Sequence, residues 1–103
     1  MATRYFMTYE AIRQEEARLQ ERVRSYPVNG RKTSTGTIKM IRKEIGDMTF
    51  RIARKCNVSV NYPRWSIQGK KVVLGEPTIL LPTLRYVSFE ELKAIEVGYE
   101  GGA

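Results

Sequence analysis

One stretch in the middle of this chain constrains the fold more than any other, because its apolar residues recur at helical spacing. The stripe consists of Ile38, Ile41, Ile45, Met48, Ile52 and Cys56. Basic residues fall mostly outside it, which predicts an amphipathic helix with one face on a core and the other in water. Gly46-Asp47 stands at its centre, where a glycine costs about 1 kcal/mol relative to alanine. We therefore expect one helix, or two helices that meet at Gly46-Asp47.

A β-hairpin is the competing interpretation of the same stretch. Met48, Phe50 and Ile52 also alternate with other residues, as the side chains of a half-buried strand do. The chain would then reverse at Gly46-Asp47 and pair with itself. The helical stripe is longer than this alternation, so the helix is the favoured structure.

The segment before this stripe predicts a first helix followed by a loop. Thr8 can cap a helix from about Tyr9 to Ser25, and Pro27 ends it. Its apolar seam reads Tyr9, Ile12, Leu19, Val23 and Tyr26, which could alternatively serve as a surface for self-association into a homodimer. Residues 28–37 contain two glycines, a basic pair and several Ser or Thr residues, so they form either a solvated linker or a loop that contacts phosphate.

The segment after Asn57 has the alternation of β-strands. Val58, Val60 and Tyr62 alternate with polar residues, and a hairpin is predicted at about 64–74 with its turn at Gln68-Gly69. A further short strand is predicted at 78–81, between two prolines. These segments predict a small three-stranded antiparallel sheet.

The clearest local signal belongs to a short C-terminal helix. Ser88 and Glu91 have the spacing of a capping box, which predicts a helix from about Phe89 to Val97. Together the elements predict an α+β fold with a single compact domain over residues 1–97 and a flexible glycine-rich tail at 98–103.

The positive charge is concentrated in the middle of the chain. The whole sequence carries a net charge of +7. Residues 31–75 alone carry +9, whereas residues 76–103 carry −3. The eleven cations of the middle are Arg31, Lys32, Lys39, Arg42, Lys43, Arg51, Arg54, Lys55, Arg64, Lys70 and Lys71. Such a run can be a solvated surface, but this imbalance favours a surface that contacts a polyanion such as a nucleic acid.

Two geometries could use this charge. In the first, two helices that meet at Gly46-Asp47 and a basic hairpin wing resemble the winged helix-turn-helix architecture. Arg51, Arg54 and Lys55 would then face a DNA major groove, and Lys70-Lys71 would contact the flanking backbone.

In the second geometry the sheet binds unpaired bases. Tyr62 and Trp65 would be stacking platforms, with Arg64, Lys70 and Lys71 on the backbone. The competing interpretation of Trp65 is a core residue, since the only tryptophan of a small domain is more often buried.

The sequence contains no convincing catalytic site. Histidine is absent and Cys56 is the only cysteine, so the commonest general base and thiolate-rich metal sites are excluded. Cys56 belongs to the apolar stripe, which predicts a buried core residue. Glu44 and Asp47 could share a helix face and hold Mg²⁺, but neutralising neighbouring cations is the simpler role. No phosphate-cradling glycine motif occurs, and we expect neither a cofactor nor a metal.

We therefore expect a small, basic, non-enzymatic nucleic-acid-binding protein, with DNA favoured over RNA and a regulatory role. The alternative is a protein-interaction module, such as an inhibitor or adaptor of the kind that phages and mobile elements encode, that binds an acidic partner. No stretch approaches the roughly 18 apolar residues of a membrane-spanning helix. With a single cysteine, this predicts a cytoplasmic protein without membrane contact.

Overall fold

The computed structural model describes the backbone of residues 8–102 and the side chains of residues 8–95. In chain order the elements are α1 (Thr8–Val23), α2 (Thr35–Cys56), β1 (Ser59–Asn61), β2 (Ser66–Gln68), β3 (Lys71–Val73), β4 (Thr78–Leu80), β5 (Tyr86–Ser88) and α3 (Phe89–Gly102). The fold is therefore of the α+β class that the sequence predicts.

The central helix α2 runs without interruption through Gly46-Asp47. The single-helix alternative is therefore confirmed, whereas the two-helix alternative and the hairpin are wrong. The physical reason is packing, because Ile45, Met48 and Ile52 stay on one buried face on both sides of the glycine. Burying such side chains is worth about 1.5–3 kcal/mol each, which exceeds the helix penalty of one glycine. The two-helix half of the winged helix-turn-helix interpretation is thus not formed around Gly46-Asp47.

Both ends of α2 carry capping residues. The Ser34 hydroxyl accepts a hydrogen bond of 3.2 Å from the Thr37 amide, and this satisfies one of the amides that lack a partner inside the helix. At the other end Asn57 adopts the left-handed conformation with φ of 58°, and its amide donates to the Ala53 carbonyl. Asparagine tolerates this conformation better than most residues, so the chain turns here towards β1.

The first helix packs against both other helices. Ile12 and Leu19 are fully buried, and the Tyr9 ring stacks on Phe89 of α3 with centroids 4.4 Å apart. Arg13 lies over the same phenylalanine ring at 4.2 Å, which adds a cation–π contact. The seam that the sequence offered as a dimer surface therefore lies inside the core of one chain.

A three-stranded antiparallel sheet with the order β1-β4-β5 lies against α2 and α3. Its central row pairs Val60 with Ile79 and Ile79 with Val87, and all three side chains are buried. A three-stranded antiparallel sheet is therefore present, but its composition differs from the prediction: the hairpin expected to belong to it lies outside it, and its third strand is β5, which was not predicted.

The predicted hairpin forms as β2 and β3, apart from the three-stranded sheet. Ile67 pairs with Val72, and Gly69 occupies the turn with φ of 61°. Two hydrogen bonds fix the hairpin on the rest of the chain: the Gln20 side-chain amide donates to the Val72 carbonyl at 3.1 Å, and the Gly30 amide donates to the Gly69 carbonyl at 2.7 Å. The hairpin turn thus lies beside the loop that joins α1 to α2.

The capping box before α3 is confirmed. The Glu91 amide donates to the Ser88 hydroxyl and the Glu91 carboxylate accepts from the Ser88 amide, both at 3.0 Å. The helix continues past its predicted end at Val97 to Gly102. Ala103 lies outside the described residues, and flexibility of the tail at 98–103 stays a prediction.

Replacing Gly46 with alanine should raise the free energy of unfolding by about 0.5–1 kcal/mol. Gly46 lies inside a continuous helix, and an added Cβ would meet no atom within 4 Å in the described part of the chain. Urea denaturation measures the change.

Gly69→Ala is the matched control. It also meets open space, but its φ of 61° makes the added Cβ unfavourable, so the same substitution should destabilise by about 1 kcal/mol. A continuous α2 is contradicted if Gly46→Ala destabilises as much as Gly69→Ala does.

Candidate nucleic-acid interface

A buried carboxylate binds two of the cations that were predicted to face a DNA groove. The Glu15 side chain of α1 is 1% exposed. Arg51 Nε lies 3.0 Å from Glu15 Oε1, and Lys55 Nζ lies 2.7 Å from Glu15 Oε2. Because a buried carboxylate needs such partners, Arg51 and Lys55 hold α2 on α1. Both side chains remain accessible, at 33% and 51% exposed, so their groove-reading role stays a prediction that the contact with Glu15 weakens.

The ionised form of Glu15 is stabilised in this position. Burial by itself raises the pKa of the carboxyl, because it disfavours the charge. The hydrogen bonds from Lys55 and Arg51 together outweigh burial, so that the net pKa of Glu15 is lowered. The ionised Glu15 carboxylate therefore links α1 to α2 through its two ion pairs.

A second carboxylate, Glu44, joins the same two helices near their other ends. Arg22 of α1 donates to both of its oxygens at 2.7 and 3.0 Å, and the Tyr26 hydroxyl donates at 2.7 Å. These bonds, that of Arg22 first, lower the pKa of Glu44 from an ordinary value near 4.5 to about 2. Asp47 instead lies 3.2 Å from Lys43. The two acids considered for Mg²⁺ are thus engaged with different cations.

Tyr62 is not the stacking platform that the sequence suggested. Its ring is 4% exposed, and its hydroxyl donates a 2.7 Å hydrogen bond to Glu16 of α1. Burial raises the pKa of this hydroxyl, and the bond to Glu16 raises it further. Tyr62 lies in phase with the buried residues Val58 and Val60, so the strand alternation already carried this signal.

The remaining cations of the middle segment gather mainly at one end of the fold. This end comprises the loop between α1 and α2, the first half of α2, and the turn of the β2-β3 hairpin. Seven exposed side chains, which we call the basic end, lie there: Arg31, Lys32, Lys39, Arg42, Lys43, Lys70 and Lys71. The bond from the Gly30 amide to Gly69 holds the loop and the hairpin turn together.

One groove of the basic end contains the only tryptophan. The tryptophan groove has a volume of about 370 Å³, and its lining consists of Gly30, Arg31, Ile38, Arg42, Trp65, Ser66 and Ile67. The Arg42 guanidinium lies over the Trp65 ring, with Cζ 5.7 Å from the ring centroid. Trp65 is half-buried and packs on the core. Three residues predicted from distant parts of the sequence, Arg31, Arg42 and Trp65, therefore line one shallow, open groove.

A second groove lies between α1 and the hairpin. Lys70, Lys71 and Arg24 line it together with Glu21. Arg24 lies outside residues 31–75, so the concentration of charge in that segment does not identify it. Glu21 pairs with Arg24 at 3.0 Å, but both side chains are 73% exposed, where such pairs contribute little.

Two predicted cations lie away from the basic end. Arg54 is exposed on the outer face of the second half of α2, with Cζ 5.8 Å from the Phe50 ring centroid. Arg64 is exposed at the base of the hairpin, where its backbone lies close to Gly75. Seven of the eleven cations thus belong to the three segments that meet at the basic end, and the other four lie on the second half of α2 and at the base of the hairpin.

Several negative findings bound the chemistry of the described residues. No group of three or more His, Cys, Asp or Glu side chains among them could hold a metal ion. Within the same part of the chain, no helix has the length and apolar character to cross a bilayer. Cys56 is 5% exposed inside the core, as predicted.

Comparison with known proteins gives no relative, because no protein-family model, curated protein or solved structure matches this chain.

The Glu44 cluster predicts a specific dependence of stability on pH. Because the folded pKa lies below the unfolded one, this carboxylate contributes its full stabilisation above about pH 4.5 and loses it as the pH falls towards 2. The free energy of unfolding of Glu44→Gln should therefore fall less steeply over this window than that of the parent. Urea denaturation at a series of pH values measures both slopes.

Glu90→Gln is the control for this experiment, since Glu90 is an exposed carboxylate at the start of α3. It should keep most of the parent slope. A Glu44→Gln protein with the parent slope would contradict the role of Glu44 as a charged link between α1 and α2.

Proposed function

We propose that this protein is a small, non-enzymatic nucleic-acid-binding protein that holds the phosphate backbone with the basic end. The observation that carries the proposal is the convergence of exposed cations from three separate segments on one end of the fold. Each cation that neutralises a phosphate releases condensed counterions, and this release drives binding whatever the base sequence. We propose a regulatory role, with DNA as the favoured ligand.

The distribution of acids supports the same surface. Glu44, the acid nearest to these cations along α2, is engaged by Arg22 and Tyr26. Lys43 pairs with Asp47, but the two side chains are 78% and 50% exposed and solvent screens their attraction. Seven cations therefore outnumber the exposed acids beside them, Asp47 and Glu21, and such an excess of positive charge attracts a polyanion.

The contacts of α2 argue against reading bases with its second half. Two of its three cations there, Arg51 and Lys55, bind Glu15 and so face α1. A helix that enters the major groove needs several side chains free to reach base edges. We therefore propose backbone contact by the basic end as the main mode of binding.

A second candidate function is a protein-interaction module that binds an acidic partner. Met40 and Phe50 are 53% and 62% exposed on α2, where Lys39, Lys43 and Arg54 are exposed as well. Exposed apolar side chains among cations suit an acidic partner with apolar anchors. A pull-down from nuclease-treated lysate separates the candidates: a stoichiometric protein that survives nuclease supports this one, and loss of all bound material supports nucleic acid.

Binding to nucleic acid should weaken steeply with salt. If the basic end contacts about four phosphates of a duplex, the logarithm of the binding constant should fall against the logarithm of salt with a slope of about −3.6 or steeper. Fluorescence anisotropy with labelled duplex and single-stranded DNA, between about 50 and 200 mM salt, measures this slope. Absence of binding to either ligand at low salt contradicts the proposal.

The location of the surface is tested by two variants that remove the same charge. Lys39→Gln/Lys70→Gln removes one cation from each of two segments of the basic end and should reduce the steepness of the salt slope by about 1.8. Arg54→Gln/Arg85→Gln also removes two exposed cations, but outside the basic end. This control should keep the parent slope within error. Equal effects of the two variants would show that total charge matters and location does not.

A further inference from the structure

We propose that the tryptophan groove binds one unpaired nucleotide of a single-stranded nucleic acid, with the base against Trp65 and the phosphate between Arg31 and Arg42. This inference rests on the proposed function and narrows its ligand from any nucleic acid to a strand with accessible bases.

The groove combines the two kinds of group that a nucleotide needs. Trp65 supplies an aromatic surface that the core holds in place, so that little side-chain freedom is lost when a base stacks on it. Arg31 and Arg42 line the same groove from the loop and from α2. Their guanidinium groups are suited to the oxygens of a phosphate, because each can donate two parallel hydrogen bonds.

The arrangement of Arg42 and Trp65 favours an unpaired base over a base within a duplex. The Arg42 Cζ stands 5.7 Å from the Trp65 ring centroid. The guanidinium is exposed and lies near the outer limit of about 6 Å for a cation–π contact, so we propose that it turns towards the phosphate when a base binds. A base inside a duplex offers only its edge in a groove, so a duplex can reach the cations but cannot cover Trp65.

A second aromatic–arginine contact, within α2, lies outside the tryptophan groove and serves as a comparison. Phe50 and Arg54 repeat the contact, with Cζ 5.8 Å from the ring centroid. Phe50 is 62% exposed on the outer face of α2, however, and neither residue lines the tryptophan groove. Phe50 and Arg54 therefore serve as controls for aromatic and cationic character outside the groove.

Trp65 reports on its own occupancy, because it is the only tryptophan in the sequence. Oligothymidylate or oligouridylate should quench its fluorescence with a saturable curve. A duplex of equal length and inorganic tripolyphosphate should bind the basic end with little quenching. If the single strands bind, as judged by anisotropy, but leave the fluorescence unchanged, the inference is overturned.

Substitutions separate stacking from charge. Trp65→Ala should weaken single-strand binding by about 5- to 150-fold, which is the range for loss of one stacked base, and should leave duplex binding within about twofold of the parent. Trp65→Phe should recover most of the loss, because it restores an aromatic face. Phe50→Ala should leave both affinities unchanged, and an equal loss from Phe50→Ala would overturn the inference.

Arg42→Met tests the phosphate contact without removing the aromatic ring, so it keeps the experiment decisive if Trp65→Ala does not fold. It should weaken single-strand binding more than Arg54→Met does, and equal effects would count against the groove.

The proposed function and the single-strand inference fail on different results. Absence of binding to either ligand overturns the proposed function. Equal binding of both ligands without dependence on Trp65 overturns only the single-strand inference.

Discussion

The rest of this structure depends on a buried carboxylate, Glu15, that joins α1 to α2. Its side chain is 1% exposed and contacts Arg51 and Lys55 at 3.0 and 2.7 Å. A buried charge without such partners costs several kcal/mol, so the two helices cannot separate or slide along each other without breaking this arrangement. Glu44 with Arg22 fixes a second point, and Glu16 with Tyr62 links α1 to the chain that follows β1.

These carboxylates also determine which cations remain without a buried partner. Arg51 and Lys55 neutralise Glu15, so two of the three cations in the second half of α2 stabilise the contact between α1 and α2. The first half of α2, the preceding loop and the hairpin turn keep their cations exposed, and the bond between Gly30 and Gly69 brings the loop and the turn together. The same network that stabilises the helices thus concentrates the positive charge at one end.

The sequence predicted features that depend on local chemistry and missed those that depend on tertiary contacts. The capping box at Ser88, the hairpin around Gly69 and the stripe of α2 are local patterns, and all three are present. Local chemistry left open whether the helix breaks at Gly46, and packing on both sides of the glycine decides for one helix. Strand β5 was missed because it leads directly into α3 and its last residue, Ser88, is the helix cap. Arg51 and Lys55 flank the buried stripe at positions four apart, but their partner lies 36 and 40 residues away and no local pattern identifies it.

The central claim is that nucleic acid contacts the basic end and not the second half of α2 or the β4-β5 side. Backbone-amide chemical shifts of nitrogen-15-labelled protein, followed while a single-stranded oligonucleotide is added at low salt, test it most directly. The account predicts saturable shifts in residues 28–32, 38–43 and 65–71, with little change in 51–57 and 80–86. Shifts centred on 51–57 or 80–86, or none anywhere, would contradict it.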